Sequence, residues 1–179
     1  MMVLFTRRET PPSELTALLG REDRVIAWAD VAGGQGTERS SVVLASTRGL
    51  WWPGADGHRL IGWHVIDKAV WRDEVLTVIE AEVVDDLLLV DRPAVSLQLS
   101  RPRDLPPTVR KRVESNVVRS ELRPVPGGAG RFVARRVPGR DGVVWRVRLE
   151  PGTADSVQLR AHLSEVLAQL RAQWASPDG

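Results

Sequence analysis

Between Ser40 and Trp71 the chain reads SSVVLASTRGLWWPGADGHRLIGWHVIDKAVW, a stretch holding four of the seven tryptophans: Trp51, Trp52, Trp63 and Trp71. Short runs rich in β-branched and aromatic residues alternate here with turn chemistry, Pro53-Gly54 and Asp56-Gly57. That alternation breaks any long helix and requires strands joined by tight turns. The indole rings must also fill much of the core, because the chain has only two Phe and no Tyr and aromatic side chains bury the largest areas.

The same reading extends along the chain. Residues 1–23 form a lead-in, with a short helical turn expected over Glu14–Leu19. Strands are expected over Arg24–Val31, Ser41–Thr47, Leu50–Trp52, Arg59–Gly62, Trp63–Trp71 and Glu74–Val84, with a flexible loop at Gly33–Gly36. Leu87–Val90 and Val95–Leu99 read as a further hairpin. A Pro-rich joint at 101–107 is a possible subdomain boundary and leads into a helix with Asp104 as N-cap, its prolines in the first turn where a missing N–H is harmless. Val109, Val113 and Val117 give that helix, 105–118, a thin apolar stripe. Further strands are expected at Leu122–Val125, Phe132–Val137 and Val143–Glu150. In the last, Val143, Trp145, Val147 and Leu149 alternate with Val144, Arg146, Arg148 and Glu150, which places Arg146 and Arg148 outward and about 7 Å apart. From Ser156 to Trp174, Leu159, Leu163, Val166, Leu167, Leu170 and Trp174 recur at helical spacing. Residues 24–174 thus read as a single α+β domain, mostly antiparallel β, with two helices in the C-terminal half and a short tail at 175–179.

The pI of 9.9 accompanies a net charge of only +2. With no Tyr, no Cys and only Lys68 and Lys111 as lysines, little titrates between neutrality and the arginine range, so a small Arg excess lifts the pI far. The preference for Arg over Lys fits a GC-rich, actinobacterial genome. The distribution is the stronger signal: from Arg101 to Arg148 there are thirteen Lys and Arg against four Asp and Glu, a net of +9, and the remaining twelve against nineteen give −7. A basic segment of this kind either pairs with the acidic remainder or meets an anionic partner.

In VVLASTRGLWWPGADGHRLIGWHVIDKAVW, a strand ends in a polar turn with an apolar restart, Thr47-Arg48-Gly49-Leu50. A hairpin then leads to an aromatic followed by isoleucine, Trp63-His64-Val65-Ile66. Over Arg24–Ser100 this resembles the bacterial PH-like domains. The resemblance implies a bent, partly open β-barrel closed at one end by a helix, and an interaction or scaffold module with no single activity. The chain departs from the pattern by adding strands and a second helix after 105–118, which leaves open whether that helix is the cap.

Enzyme chemistry finds little purchase. His64 and Asp67 are three apart, so a strand would point them to opposite faces, and no nucleophile is marked beside them. The histidines His58, His64 and His162 lack zinc-ligand spacing. Asp85, Asp86 and Asp91 flank an apolar run as turn residues do. Gly33–Gly36 and Gly127–Gly130 lack both the P-loop GK[ST] and a strand-to-helix context. No cysteine is present, hence no disulfide or thiolate. The start has only a short apolar patch with charges after it, unlike a signal peptide, and no apolar run approaches the roughly 20 residues of a membrane span. A cytoplasmic protein without catalytic residues, metal or cofactor is expected.

The strongest functional lead is the set Arg110, Lys111, Arg112, Arg135, Arg136, Arg146 and Arg148, with Arg140 close by. Clustered guanidinium groups suit phosphate or carboxylate. Trp51 and Trp52, adjacent in a strand, must face opposite ways, so one of them is a candidate exposed aromatic. The expected function is a non-enzymatic module that binds a protein partner or self-associates. The alternative is binding of nucleic acid or an anionic membrane through the Arg face.

Overall fold

The computed structural model describes residues 9–33 and 42–175; Gly34–Gly36 of the expected glycine loop and most of the tail lie outside them. In chain order come α1 (Ser13–Thr16), β1 (Val25–Val31), β2 (Val42–Ser46), β3 (Gly49–Gly54), β4 (Gly57–Gly62), β5 (Ile66–Arg72), β6 (Val75–Val83), β7 (Leu88–Asp91), β8 (Val95–Arg101), α2 (Leu105–Asn116), β9 (Val117–Val125), β10 (Gly128–Arg135), β11 (Val144–Leu149) and α3 (Val157–Ala175). The chain is a mixed α+β protein with an 11-stranded open sheet, ordered β4-β3-β2-β1-β8-β6-β7-β11-β10-β9, with β5 added on β6. All pairings are antiparallel except β7 with β11.

Four expectations are corrected. Trp63–Trp71 is not one strand: Trp63–Val65 forms a 3-10 turn before β5 begins. The segments at 87–90 and 95–99 do not pair with each other; β8 pairs with Val75–Val78 of β6 and β7 with Ala81–Val83. Pro93 sits between them, and a proline cannot donate to a ladder. The second helix stops at Asn116, so Val117 opens β9 instead of closing the apolar stripe. The described residues hold three helices where two were expected, because the lead-in turn forms over Ser13–Thr16 and buries Leu15.

Strand β6 joins the two halves. Leu76 and Val78 point into a first core with Ala27, Val43, Leu50, Trp52, Ile61, Trp63, Leu99, Leu105, Val109 and Val113. Farther along, the buried position of β6 shifts to Ala81. The change of phase lies beside a bulge in β5: Ile66 pairs with Glu80 and Lys68 with Ile79, leaving Asp67 unpaired. Beyond it, β7 passes to β11 and a second core. There Phe132, Ala134, Trp145 and Val147 of β10 and β11 pack on Leu159, Leu163, Leu167 and Leu170 of α3. The Ser156 hydroxyl accepts the Leu159 amide at 3.1 Å and caps that helix. Trp145 is 1% exposed and meets Trp174 edge-on at 6.5 Å.

The turn after β2 is fixed by its sequence. Asp23 accepts from the Thr47 hydroxyl at 2.8 Å and the Arg48 amide at 3.1 Å, and the Gly49 amide donates to the Ser46 hydroxyl at 3.3 Å. A Cβ on Gly49 would lie 2.9 Å from the Gly62 Cα, closer than real Cβ contacts allow, so only glycine fits there. The Trp63 indole donates to the Ser46 carbonyl at 2.9 Å and locks the same turn from below.

Candidate functional site

The basic segment does not form one surface. Arg135 is 6% exposed. It donates to the Ile66 carbonyl at 2.7 Å and to Asp67 at 3.2 Å. Arg148 donates to Asp67 at 2.6 Å and also binds Asp91. The face of β11 expected to look outward packs against the first half of the chain, because β11 joins β7, which continues the β6 ladder. The bulge at Asp67 offers its carboxylate to both arginines. These two are clamps between the halves, and the outward placement of Arg148 is corrected accordingly. Arg146 is half-buried, its Nε enclosed without a hydrogen-bond partner; burial lowers its pKa first, opposed by Asp86. Arg110 is exposed and paired with Glu114 at 2.8 Å. Lys111 is exposed beside it.

The remaining two candidates, Arg112 and Arg136, meet Arg140 in one cleft of about 410 Å³. It is lined as well by Thr47, Ser115, Asn116 and Asp141. Three chain segments position the arginines. The last turn of α2 carries Arg112. That turn is stapled to the end of β10: the Asn116 carbonyl accepts the Arg136 amide at 3.0 Å, and the Asn116 Nδ2 donates to the Arg136 carbonyl at 2.5 Å. Val137-Pro138-Gly139-Arg140 then forms a turn closed by the Arg140 amide on the Val137 carbonyl at 3.0 Å, with Gly139 at φ 79°. Proline at the second position and a left-handed glycine at the third specify a type II turn, which brings Arg140 to the cleft that Arg112 also lines.

Among the described residues, no carboxylate pairs with Arg112, Arg136 or Arg140. Their neighbours along the chain differ: Arg103, Arg110, Arg119, Arg123, Arg131, Arg135, Arg148 and Arg160 each hold an acid. Asp141 brings the three charges of the cleft to a net of +2. The C-terminal end of α2 adds only about half a negative charge, so the cleft stays cationic. Of its arginines, Arg140 acts on His64, which is half-buried with Nδ1 enclosed and without a hydrogen-bond partner among the described residues. Burial lowers the His64 pKa, and Arg146, Arg135 and Arg140 lower it further. Arginines gathered around one cleft suit an anion.

The other candidates fall away from this site. Trp52 is buried at 6% in the first core. Trp51 is half-buried against Leu15, Val42 and Leu44, because α1 covers that side of the sheet. Neither is the exposed aromatic expected; the exposed tryptophans are Trp71 and Trp174. Asp67 serves arginines rather than His64. Asp85 accepts the Leu87 and Leu88 amides at 2.8 and 2.9 Å and binds Arg160, as a turn cap does. His58 Nε2 lies 2.6 Å from the Val42 carbonyl. Gly127 turns the β9–β10 hairpin. Among the described residues no three His, Asp or Glu side chains are placed to hold a metal ion, and no helix is long and apolar enough to cross a membrane. Sequence reasoning missed Asp67 as the shared acceptor and Arg103, whose guanidinium lies 3.6 Å over the Trp28 ring. Bulges leave no mark in composition, but Pro138-Gly139 between two arginines was a readable signal for the cleft.

The chain matches no family model, no curated protein and no solved structure.

Proposed function

We propose that this chain is a non-enzymatic cytoplasmic interaction module that takes an anionic segment of a protein partner into the cleft of Arg112, Arg136 and Arg140. The observation that carries this reading is the pairing pattern. Among the described residues most arginines of the basic segment hold an acid, and of Arg112, Arg136, Arg140 and Arg146, which do not, the first three line one cleft. Gathering three like charges around one cleft costs stability, so their presence there favours an external anion.

A PH-like N-terminal part fits this role. Its support is the order of strands: β1–β4 run as a meander, β8 returns beside β1, and α2 packs its Leu105, Val109 and Val113 into the core these strands enclose. A protein partner is favoured over nucleic acid because the cleft offers no exposed ring for base stacking; its only aromatic, Trp63, is buried. It is favoured over a membrane because none of the exposed large apolar residues lines the cleft.

The test is binding of a fluorescent polyglutamate peptide, a single-stranded RNA and vesicles of anionic lipid, to the wild type and to an Arg112→Ala/Arg136→Ala/Arg140→Ala variant. The expected result is salt-sensitive binding of the peptide, lost in the variant and retained by Lys111→Ala. Preference for RNA or vesicles, or equal peptide binding by the triple variant, overturns the reading. Mass measured at two protein concentrations reads out self-association.

A further inference from the structure

We propose that the group recognised in this cleft is a phosphate monoester dianion, carried on a phosphorylated serine or threonine of the partner. The inference rests on the anion-binding reading above and narrows its ligand.

Charge balance is the first argument. Arg112, Arg136 and Arg140 with Asp141 give the cleft a net of +2. A phosphate monoester carries about −1.5 to −2 at neutral pH, against −1 for a single carboxylate. Geometry is the second. The three arginines that line the cleft come from three separate segments, α2, the residue after β10 and the type II turn, so their side chains enter it from different parts of the chain. That suits a tetrahedral group with three terminal oxygens better than a planar carboxylate, which one guanidinium saturates in a bidentate fork. Lining is the third. Thr47, Ser115 and Asn116 line the same cleft beside Val137 and Pro138, with the Thr47 hydroxyl held by Asp23 and the Ser115 hydroxyl by the Arg112 carbonyl, so the arginines are its charged donors. A small-molecule site is normally an apolar pocket; this cleft has room for a phosphoryl group and its attached residue, without a hydrophobic enclosure for a metabolite.

His64 makes the proposal measurable. Burial lowers its pKa first, and Arg146 from β11, Arg135 from β10 and Arg140 from the turn lower it further. The nearest acid along the chain, Asp67, is taken up by Arg135 and Arg148. A dianion bound to Arg140 offsets part of the field and raises the His64 titration midpoint.

The experiment compares a short phosphoserine peptide with neutral flanks, its glutamate and serine counterparts, inorganic phosphate and vesicles containing phosphatidic acid. Affinity is measured by calorimetry from pH 7.5 to 5.5, with the His64 ring resonances followed in parallel. The phosphoserine peptide is expected to bind at least about tenfold more tightly than the glutamate peptide. Its affinity falls as the phosphate loses its second charge near pH 6. The His64 midpoint rises in the wild type and stays fixed in Arg136→Ala/Arg140→Ala. If the glutamate peptide binds equally and without pH dependence, the phosphate assignment is wrong and the anionic-partner reading stands. Equal binding of inorganic phosphate, or tighter binding of vesicles, overturns the protein-borne source. If no probe binds and the His64 midpoint never moves, both readings fall.

Discussion

Removing the Asp67 carboxylate should loosen the contact between the two halves more than any other single surface-accessible change. Asp67 accepts Arg135 at 3.2 Å and Arg148 at 2.6 Å, with side-chain exposures of 8% and 28% for the two arginines. Hydrogen bonds to charged groups contribute about 1.5–3 kcal/mol each, and stripping one partner from a buried pair costs about 3–5 kcal/mol. The loss is smaller here than the sum, because Arg148 keeps Asp91 and is partly solvated, while Arg135 keeps the Ile66 carbonyl. We expect Asp67→Ala to cost about 3 kcal/mol, a large share of the roughly 5–15 kcal/mol that holds a typical domain. Urea unfolding followed by tryptophan fluorescence reads both cores, since Trp63 lies in the first and Trp145 in the second. With a slope near 2 kcal/mol per molar urea, the midpoint falls by about 1.5 M. Arg110→Ala, which breaks only an exposed pair on α2, serves as control and leaves the midpoint in place. A shift below about 0.3 M for Asp67→Ala, on that same slope, refutes the clamp.

Three further outcomes follow from the packing. Trp145→Ala lowers stability by about 3–5 kcal/mol, the range for emptying an aromatic site in a core, and denaturant midpoints check it. Gly49→Ala should prevent stable folding, because its Cβ meets β4 backbone that cannot yield; a cooperative melt near the wild-type temperature contradicts this. His64 has a folded pKa below its unfolded one, so the unfolded chain binds the extra proton and stability is lost as pH falls through about 6.5. His64→Gln should therefore flatten the stability profile between pH 7 and 5, measured by thermal melts across that range.

What could be read in the sequence was what depends on neighbours along the chain. The alternation Val143, Trp145, Val147 and the helical spacing of Leu159, Leu163 and Leu167 placed β11 and α3 and their buried faces. What could not be read depends on partners distant in sequence. Alternation shows that Arg148 lies on the face opposite Trp145, but not that another layer covers that face. Val117 continues the valine spacing of α2, yet pairing with Arg135 of β10 draws it into β9. The acidic and basic halves were legible as a charge imbalance. Which arginines that imbalance neutralises and which it leaves over is decided by the bulge at Asp67 and the staple at Asn116, and neither has a compositional signature.

The division of the basic segment into clamps and a binding set is tested most directly by nuclear magnetic resonance of the arginine Nε–H groups, assigned by single Arg→Lys substitutions and titrated with the phosphoserine peptide. The account predicts that the resonances of Arg112, Arg136 and Arg140 move together and saturate at one ligand per chain, while those of Arg135 and Arg148 keep their positions. Shifts centred on Arg135 and Arg148, or spread evenly over Arg110, Arg119, Arg123 and Arg131, would contradict it.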